Sequence, residues 1–324
     1  MTVALPTWSA LLDGVRRLTE GTPATVRDLV RCGETMFRRA ELFSGDSHGS
    51  PRADARAVVF HVLGIVDHDD GYLDTRVTDV EVAAILELFE ARLRGRVPVP
   101  WLTGIAFHAG KRFVVGPGVF VPRGLLHRVL PELLDGVREG GRVLDLCTGC
   151  GALGILAALA RKDLAVDLGD ISPAAVEAAR ANVRRFGLQP RVGARVGDLF
   201  EAAEGRYDLI LAHPPYIPVG APLSTGAEPA TALFGGDDGL DLVCRIVAGA
   251  ATHLEAGGRV VLELGSDHER SRRLRGMAWL PVAGSPAGIG VIERLADVVI
   301  DVGKPPERIG APRSAASTFA HQGG

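Results

Sequence analysis

Two kinds of hydrophobic pattern divide the chain. Up to about residue 100 the apolar positions recur at helical spacing, and no stretch reads as a convincing strand. Leu29, Met36 and Phe37 share one face of a helix predicted over Thr25 to Phe43. A second helix is predicted from Pro51 to Gly64, with proline suited to its first turn. A third starts at the capping-box pattern Thr78-Asp-Val-Glu81 and carries Val82, Ile85, Leu86, Phe89 and Leu93 along one stripe. Arg94-Gly-Arg-Val-Pro-Val-Pro100 ends that helix and reads as a hinge. Residues 101–123 predict a β-hairpin, strand-like from Phe107 to Val115, with turn chemistry in Gly116-Pro-Gly118. From Leu125 onward the pattern changes. Short apolar runs near 142–147, 165–170, 191–196, 207–212, 258–264 and 289–295 alternate with helical stretches. That alternation predicts an α/β fold with a parallel sheet and right-handed crossovers. Residues 301–324 are rich in Pro, Gly, Ser and Ala without periodicity and read as a disordered tail.

Two of the predicted strands end in unusual chemistry. The run Tyr207 to Ala212 is followed at once by His213-Pro214-Pro215-Tyr216. Two prolines before an aromatic make a stiff bracket, because proline fixes φ and donates no hydrogen bond. In an open α/β sheet the C-terminal strand edge is where ligands bind. The strand Val143 to Cys147 leads into Gly149-Cys-Gly151-Ala-Leu-Gly154, which satisfies G-x-G-x-x-G. Glycines there let the backbone pass close beneath a ligand, and the following helix offers free N–H groups. Asp170 lies sixteen residues after the last glycine, so a nicotinamide dinucleotide has to be weighed.

Three acids turn the reading away from a dinucleotide. Asp145 stands four residues before the first glycine, where it would repel a pyrophosphate but suits an ammonium. Asp170 and Asp198 end the next two strands. The three match three separate parts of S-adenosylmethionine: Asp145 its ammonium side, Asp170 its ribose hydroxyls, Asp198 its adenine amino group. The expected cofactor contacts are Asp145, Thr148, Gly149, Gly151, Asp170, Ile171, Asp198, Leu199 and His213, and the expected catalytic set is His213, Pro214, Pro215 and Tyr216.

Composition removes other classes. Net charge is −3, so no global basic field draws the chain to nucleic acid or an anionic membrane. Nucleic acid is not the expected direct substrate, and Arg16-Arg17, Arg38-Arg39 and the arginines from Arg92 to Arg96 read as solvated helix faces. No apolar stretch is long enough to cross a bilayer, so no membrane partner is expected. The 4 cysteines are too few for a disulfide framework, which suits a cytoplasmic protein. Cys147-Thr-Gly-Cys150 has C-x-x-C spacing but no second pair, so both thiols read as small packing residues and no metal is expected.

The glycine turn, the three acids and His213-Pro-Pro-Tyr216 resemble the class I S-adenosylmethionine-dependent methyltransferases. More narrowly, the chain resembles the protein N5-glutamine methyltransferases, over roughly residues 25–297. Further resemblance lies in Pro98-Val-Pro-Trp-Leu-Thr-Gly104, Val119-Phe-Val-Pro-Arg123, Asp170-Ile-Ser-Pro173, Glu228-Pro-Ala-Thr-Ala-Leu233 and Gly235-Gly-Asp-Asp-Gly-Leu-Asp241. Thr25-Val-Arg-Asp-Leu29 is closer to the branch acting on ribosomal protein uL3 than to the release-factor branch. The resemblance implies a Rossmann-like seven-stranded sheet. It also implies a helical substrate-docking domain (1–100), a hairpin linker (101–123) and a catalytic domain (124–300) before the tail. The implied reaction methylates a glutamine side chain of a translation protein, a ribosomal protein or a release factor. Amide N–H groups are held by the bracket's first side chain and first proline carbonyl, which position them and stabilise developing positive charge.

Two departures from the family pattern stand out. Its bracket begins with Asn, where this chain has His213, and an acid often follows its Pro-Arg, where Gly124-Leu-Leu-His-Arg128 follows here. A neutral imidazole can accept one amide hydrogen. It can also act as a general base. Retained amide methylation, a shifted acceptor such as a small-molecule amine or hydroxyl, and impaired catalysis therefore stay open at this point. So do amino-group methylation of nucleic acid, as a second alternative, and a non-enzymatic cofactor-binding role.

Overall fold

A computed structural model describes residues 24–42, 48–66, 70–222, 227–265, 268 and 271–274, and the backbone of 278–281 and 287–292. The expected tail, residues 301–324, and Arg16-Arg17 lie outside the described residues. Helices α1 (Val26–Arg39), α2 (Pro51–Val62) and α3 (Asp79–Gly95) form the N-terminal layer. Each begins as its sequence dictates. Thr25 and Thr78 close capping boxes with Asp28 and Glu81, and Ser50 caps α2 just ahead of Pro51. Such a cap contributes about 1 kcal/mol by satisfying N–H groups that the helix leaves unpaired. The stripes meet around Val26, Leu29, Phe37, Val58, Ile85 and Phe89, all buried. Gly33 is there for space, since a Cβ would collide with the Phe89 ring.

The arginine-rich end of α3 departs from its expected solvated face. Arg92 is only 1% exposed and its guanidinium faces buried Asp54 of α2 at 3.3 Å, while also donating to the carbonyls of Arg96 and Val97. Arg38 and Arg94 are surface partners of Glu34 and Glu90. The segment expected as a hinge runs into a short helix, α4 (Val99–Thr103), begun on Pro98. Two prolines at a helix start suit its first turn, where no backbone donor is needed.

The hairpin turns at a different place from the expected one. Strands β1 (Ile105–His108) and β2 (Lys111–Val114) pair antiparallel across Ala109-Gly110, both with positive φ, +46° and +70°. That is the two-residue turn whose twist matches a β-hairpin. Gly116-Pro-Gly118 lies beyond the hairpin and redirects its exit toward the sheet. Trp101 pins that exit by donating from Nε1 to the Val119 carbonyl at 2.8 Å. His48 near α2 packs against Phe107 of β1 with ring centroids 5.9 Å apart, a contact between the helical layer and the hairpin.

The remaining elements are α5 (Leu130–Asp135), β3 (Arg142–Leu146), α6 (Ala152–Ala160), β4 (Ala165–Asp170), α7 (Pro173–Arg185) and β5 (Val192–Val196). They continue with β6 (Tyr207–Ala212), α8 (Asp241–Ala250), β7 (Leu254–Gly265), β8 (Ala278–Pro281) and β9 (Ala287–Ile292). The sheet order is β5-β4-β3-β6-β7-β9-β8. β5 to β7 run parallel, and β9 returns antiparallel against both β7 and β8. β8 is the strand of the implied seven that no apolar run marks, since four residues ending in Pro281 give no readable period. The order reverses between β3 and β6, paired from Val143↔Leu209 to Leu146↔Ala212, so the glycine turn and the bracket emerge side by side. A crevice outside the carboxyl ends at such a reversal is where open α/β sheets take ligands.

Candidate active site

The glycine turn is built from backbone conformations that few residues tolerate. Cys147, Gly149 and Gly151 all have positive φ, +54°, +57° and +83°. Cys147 is a non-glycine residue in that region, an arrangement the surrounding structure has to hold in place. Asp145 supplies the hold from beneath. It is 1% exposed, and its Oδ2 accepts from the Thr148 hydroxyl at 2.6 Å and the Gly154 N–H at 2.9 Å. Burial pushes its carboxyl up to about 7, against the two hydrogen bonds that favour the anion. The spacing to the first glycine predicts this acid against an ammonium; the fold instead seals it under the turn, where its oxygen is the acceptor for the loop's inward donors. Gly154 allows α6 to sit close on β4, since a Cβ there would run into Leu168.

Asp170, at the tip of β4, ties two neighbouring turns together. Its Oδ2 accepts from Gly149 N–H at 2.8 Å and its Oδ1 from Ser172 N–H at 2.9 Å. Burial holds its carboxyl above the ordinary range despite those donors. Ile171 beside it is 59% exposed, a large apolar side chain facing solvent at a strand tip. Leu199, after β5, adopts φ +52°, and Asp198 before it accepts from Arg245 of α8 at 2.8 Å. Thr148 donates its backbone N–H to the Gly169 carbonyl, so β3 and β4 share the turn. A buried carboxamide extends the frame: Asn182 of α7 bonds both backbone groups of Val114 and the Cys150 carbonyl, joining hairpin to turn. Burial drives the thiols of Cys147 and Cys150 up, the latter to about 12, which leaves them as packing groups.

The bracket is held mainly by residues distant in sequence. The His213 ring meets Phe120 edge-on, centroids 5.6 Å apart at 90°, and lies against Tyr216 at 5.7 Å and 28°. Phe120 is covered on its face by the Arg123 guanidinium at 4.0 Å. Arg123 forms a two-pronged ion pair with Glu228, 2.8 and 2.6 Å, and the buried Glu228 also accepts from Val121 N–H. On the bracket's far side Gly235 and Gly239 fit against the carbonyls of Pro215 and Tyr216, where a Cβ at either would collide. Ile217 exchanges backbone hydrogen bonds with Leu233 and Gly235. Glu263 of β7 accepts from Leu125 and Leu126 N–H at 2.7 and 2.9 Å, anchoring the turn after Arg123. His108 and His127 stack edge-to-face 4.5 Å apart nearby, and burial together with the His127 charge lowers His108 to about 4.

Glu263, Phe120 and the pairing of Arg123 with Glu228 were missed as site residues. Arg123 and Glu228 each sit in a segment that sequence inspection singled out, but nothing local says that two segments about a hundred residues apart hold opposite charges together.

The arrangement has recognised relatives. Residues 112–225 match the methyltransferase small domain. The ribosomal protein uL3 glutamine methyltransferase of Bordetella pertussis is 44% identical over 258 residues, 76% of this chain and 85% of its own length. That of Burkholderia pseudomallei is 37% identical over 85% of this chain and 96% of its own, and that of Bradyrhizobium diazoefficiens 36% over 78% and 84%. The chain belongs to this methyltransferase family. It is an S-adenosylmethionine-dependent enzyme, and its residues fit that cofactor on their own terms. Space is open above Gly149, where a Cβ would meet nothing within 4 Å. Asp170 accepts from the Gly149 N–H beside that space, and the apolar side chain of Ile171, next in the chain, is exposed. The dinucleotide reading of the same glycines is set aside with this membership. No described helix is long and apolar enough to cross a membrane.

Proposed function

We propose that this chain methylates the side-chain amide nitrogen of a glutamine in ribosomal protein uL3. The observation that carries the reading is the His213-Pro-Pro-Tyr216 bracket beside the glycine turn, in a chain related over most of its length to enzymes named for that reaction. In this reading Asp170 receives the ribose hydroxyls, and Ile171 and Leu199 flank the adenine. Asp198 receives the adenine amino group while Arg245 holds its other flank. Gly149, Gly151 and the backbone of Thr148 admit the carboxylate end, and Asp145 shapes the turn from below. The cofactor supplies an electrophilic methyl on a sulfonium. An amide nitrogen is a weak nucleophile, so the protein's contribution is orientation and stabilisation of the charge that develops on nitrogen. His213 and the Pro214 carbonyl accept the two amide hydrogens, Pro215 stiffens the bracket, and Tyr216 walls the pocket. The N-terminal segment, residues 1–100, docks the protein substrate, and the hairpin segment, residues 101–123, links it to the catalytic unit. Such a substrate places the enzyme in the cytoplasm.

The test is incubation of the full chain with labelled S-adenosylmethionine and purified uL3, read by mass spectrometry of the substrate peptides. A single methyl on a glutamine amide is expected. Label entering RNA, a small molecule or another side chain overturns the reading.

A further inference from the structure

His213, which stands where the family has Asn, and Gly124, the first residue of the segment that lacks the family's acid, meet in space. Gly124 is not a glycine for backbone reasons, since its φ lies outside the left-handed region. It is one for room. A Cβ on Gly124 would stand 2.9 Å from His213 Nδ1 and 2.7 Å from Glu263 Oε2. Neither neighbour gives way easily. Glu263 is 3% exposed with both oxygens held by the Leu125 and Leu126 N–H groups, and the His213 ring is fixed between Phe120 and Tyr216.

We propose that Gly124 and Glu263 are positioning residues for His213, seating its ring so that Nδ1–H faces the Glu263 side and Nε2 is left as the acceptor. An imidazole has one acceptor only when neutral, and which nitrogen it is depends on what the other faces. Nδ1 and Oε2 of Glu263 both lie within van der Waals contact of one point, the missing Gly124 methyl. No hydrogen bond or ion pair joins the two groups, but a carboxylate on the Nδ1 side of the ring favours the proton on Nδ1 through its charge. The Nε2 lone pair then performs the task of an asparagine carbonyl, accepting one amide hydrogen. His213 and Gly124 are thus a compensated pair: the larger side chain in the bracket works because the residue opposite has none. The acceptor role rests on the proposed glutamine methylation; the ring's seating does not.

The closing experiment keeps those two apart. In full-length protein labelled with ¹⁵N-histidine, the His213 signals are assigned by their loss in His213→Asn and recorded under mildly alkaline conditions. The Nδ1–H tautomer is expected, shifting toward a mixture in Glu263→Gln. An Nε2–H tautomer, or no response to Glu263→Gln, overturns the proposal whether or not uL3 is a substrate. In parallel, Gly124→Ala is expected to lower kcat on uL3 about tenfold or more, with S-adenosylhomocysteine affinity unchanged. The same substitution in a His213→Asn background is expected to cost little. Equal losses in both backgrounds, in kcat and in thermal stability, refute the compensated pair. Should the wild-type chain not methylate uL3 at all, the stability cycle and the spectra still decide the seating, and only the functional reading falls. If Glu263→Gln fails to fold, the Gly124 cycle and the wild-type tautomer remain decisive.

Discussion

The glycine turn and the proline bracket leave neighbouring strands of one sheet and are held by opposite strategies. At the turn, almost every constraint is local. Asp145, Thr148, Gly149, Gly154 and Asp170 satisfy one another within one strand–turn–helix–strand unit, and the conformation is written in positive φ angles. At the bracket, the prolines and Tyr216 are local but the rest of what seats His213 is remote: Phe120, Gly124, Glu228 and Glu263 come from the hairpin exit, two loops and β7. The difference teaches a division of labour. A site for an invariant cofactor is served by a compact backbone cradle, whereas an acceptor site tuned to one substrate is assembled from side chains that can change in concert.

That contrast can be broken most forcefully at Asp170. Asp170→Ala is expected to weaken S-adenosylhomocysteine binding about a hundredfold by calorimetry, since charge-assisted hydrogen bonds to a ligand are worth about 1.5–3 kcal/mol each. A folded variant that binds normally would remove Asp170 from the ribose site. Next in size, Glu228→Ala leaves Arg123 without its partner and is expected to cost about 2 kcal/mol in urea unfolding. Methyl transfer to uL3 should collapse with it, while cofactor affinity persists. Loss of both together would show that the two sites are not separately supported.

Smaller effects concern pH. Asp145 is raised from an ordinary carboxyl to about 7 by burial, so the fold favours its protonated form. Its contribution is full below the unfolded value near 3.8 and is lost as pH rises toward about 7. The slope is at most about 1.4 kcal/mol per pH unit. Asp145→Asn keeps an acceptor for Thr148 and Gly154, and should flatten the fall in melting temperature across that window. An unchanged profile would mean that Asp145 is ionised in the fold throughout. His108 has the opposite sign. Lowered from 6.5 to about 4, it contributes stability above its unfolded value that is lost as pH falls through that range. His108→Gln should blunt this acid-side loss, the smallest of these effects because the ring is only partly buried and solvent screens it. The check is thermal unfolding in the acid range.

Legibility follows the same division. The three N-terminal helices, with their caps at Thr25 and Thr78, and the parallel strands β3 to β7 follow from apolar spacing alone. The hairpin turn at Ala109-Gly110 was misplaced because Gly116-Pro-Gly118 carries stronger turn composition, while pairing register, a tertiary property, put the reversal earlier. Arg92 was misjudged for the same reason. An arginine near a helix end reads as solvated until a buried Asp54 from another helix is brought against it.

The chain's own residue order specified the α/β alternation, the glycine turn, the acids at the strand tips and the bracket, because periodicity and backbone restriction act over a few residues. Three-dimensional packing alone decided that Asp145 turns inward, that Glu228 locks Arg123, and that Gly124 leaves the space His213 occupies. Each of those depends on which distant groups share a buried volume. Volume exclusion and charge pairing between strangers in sequence have no local signature.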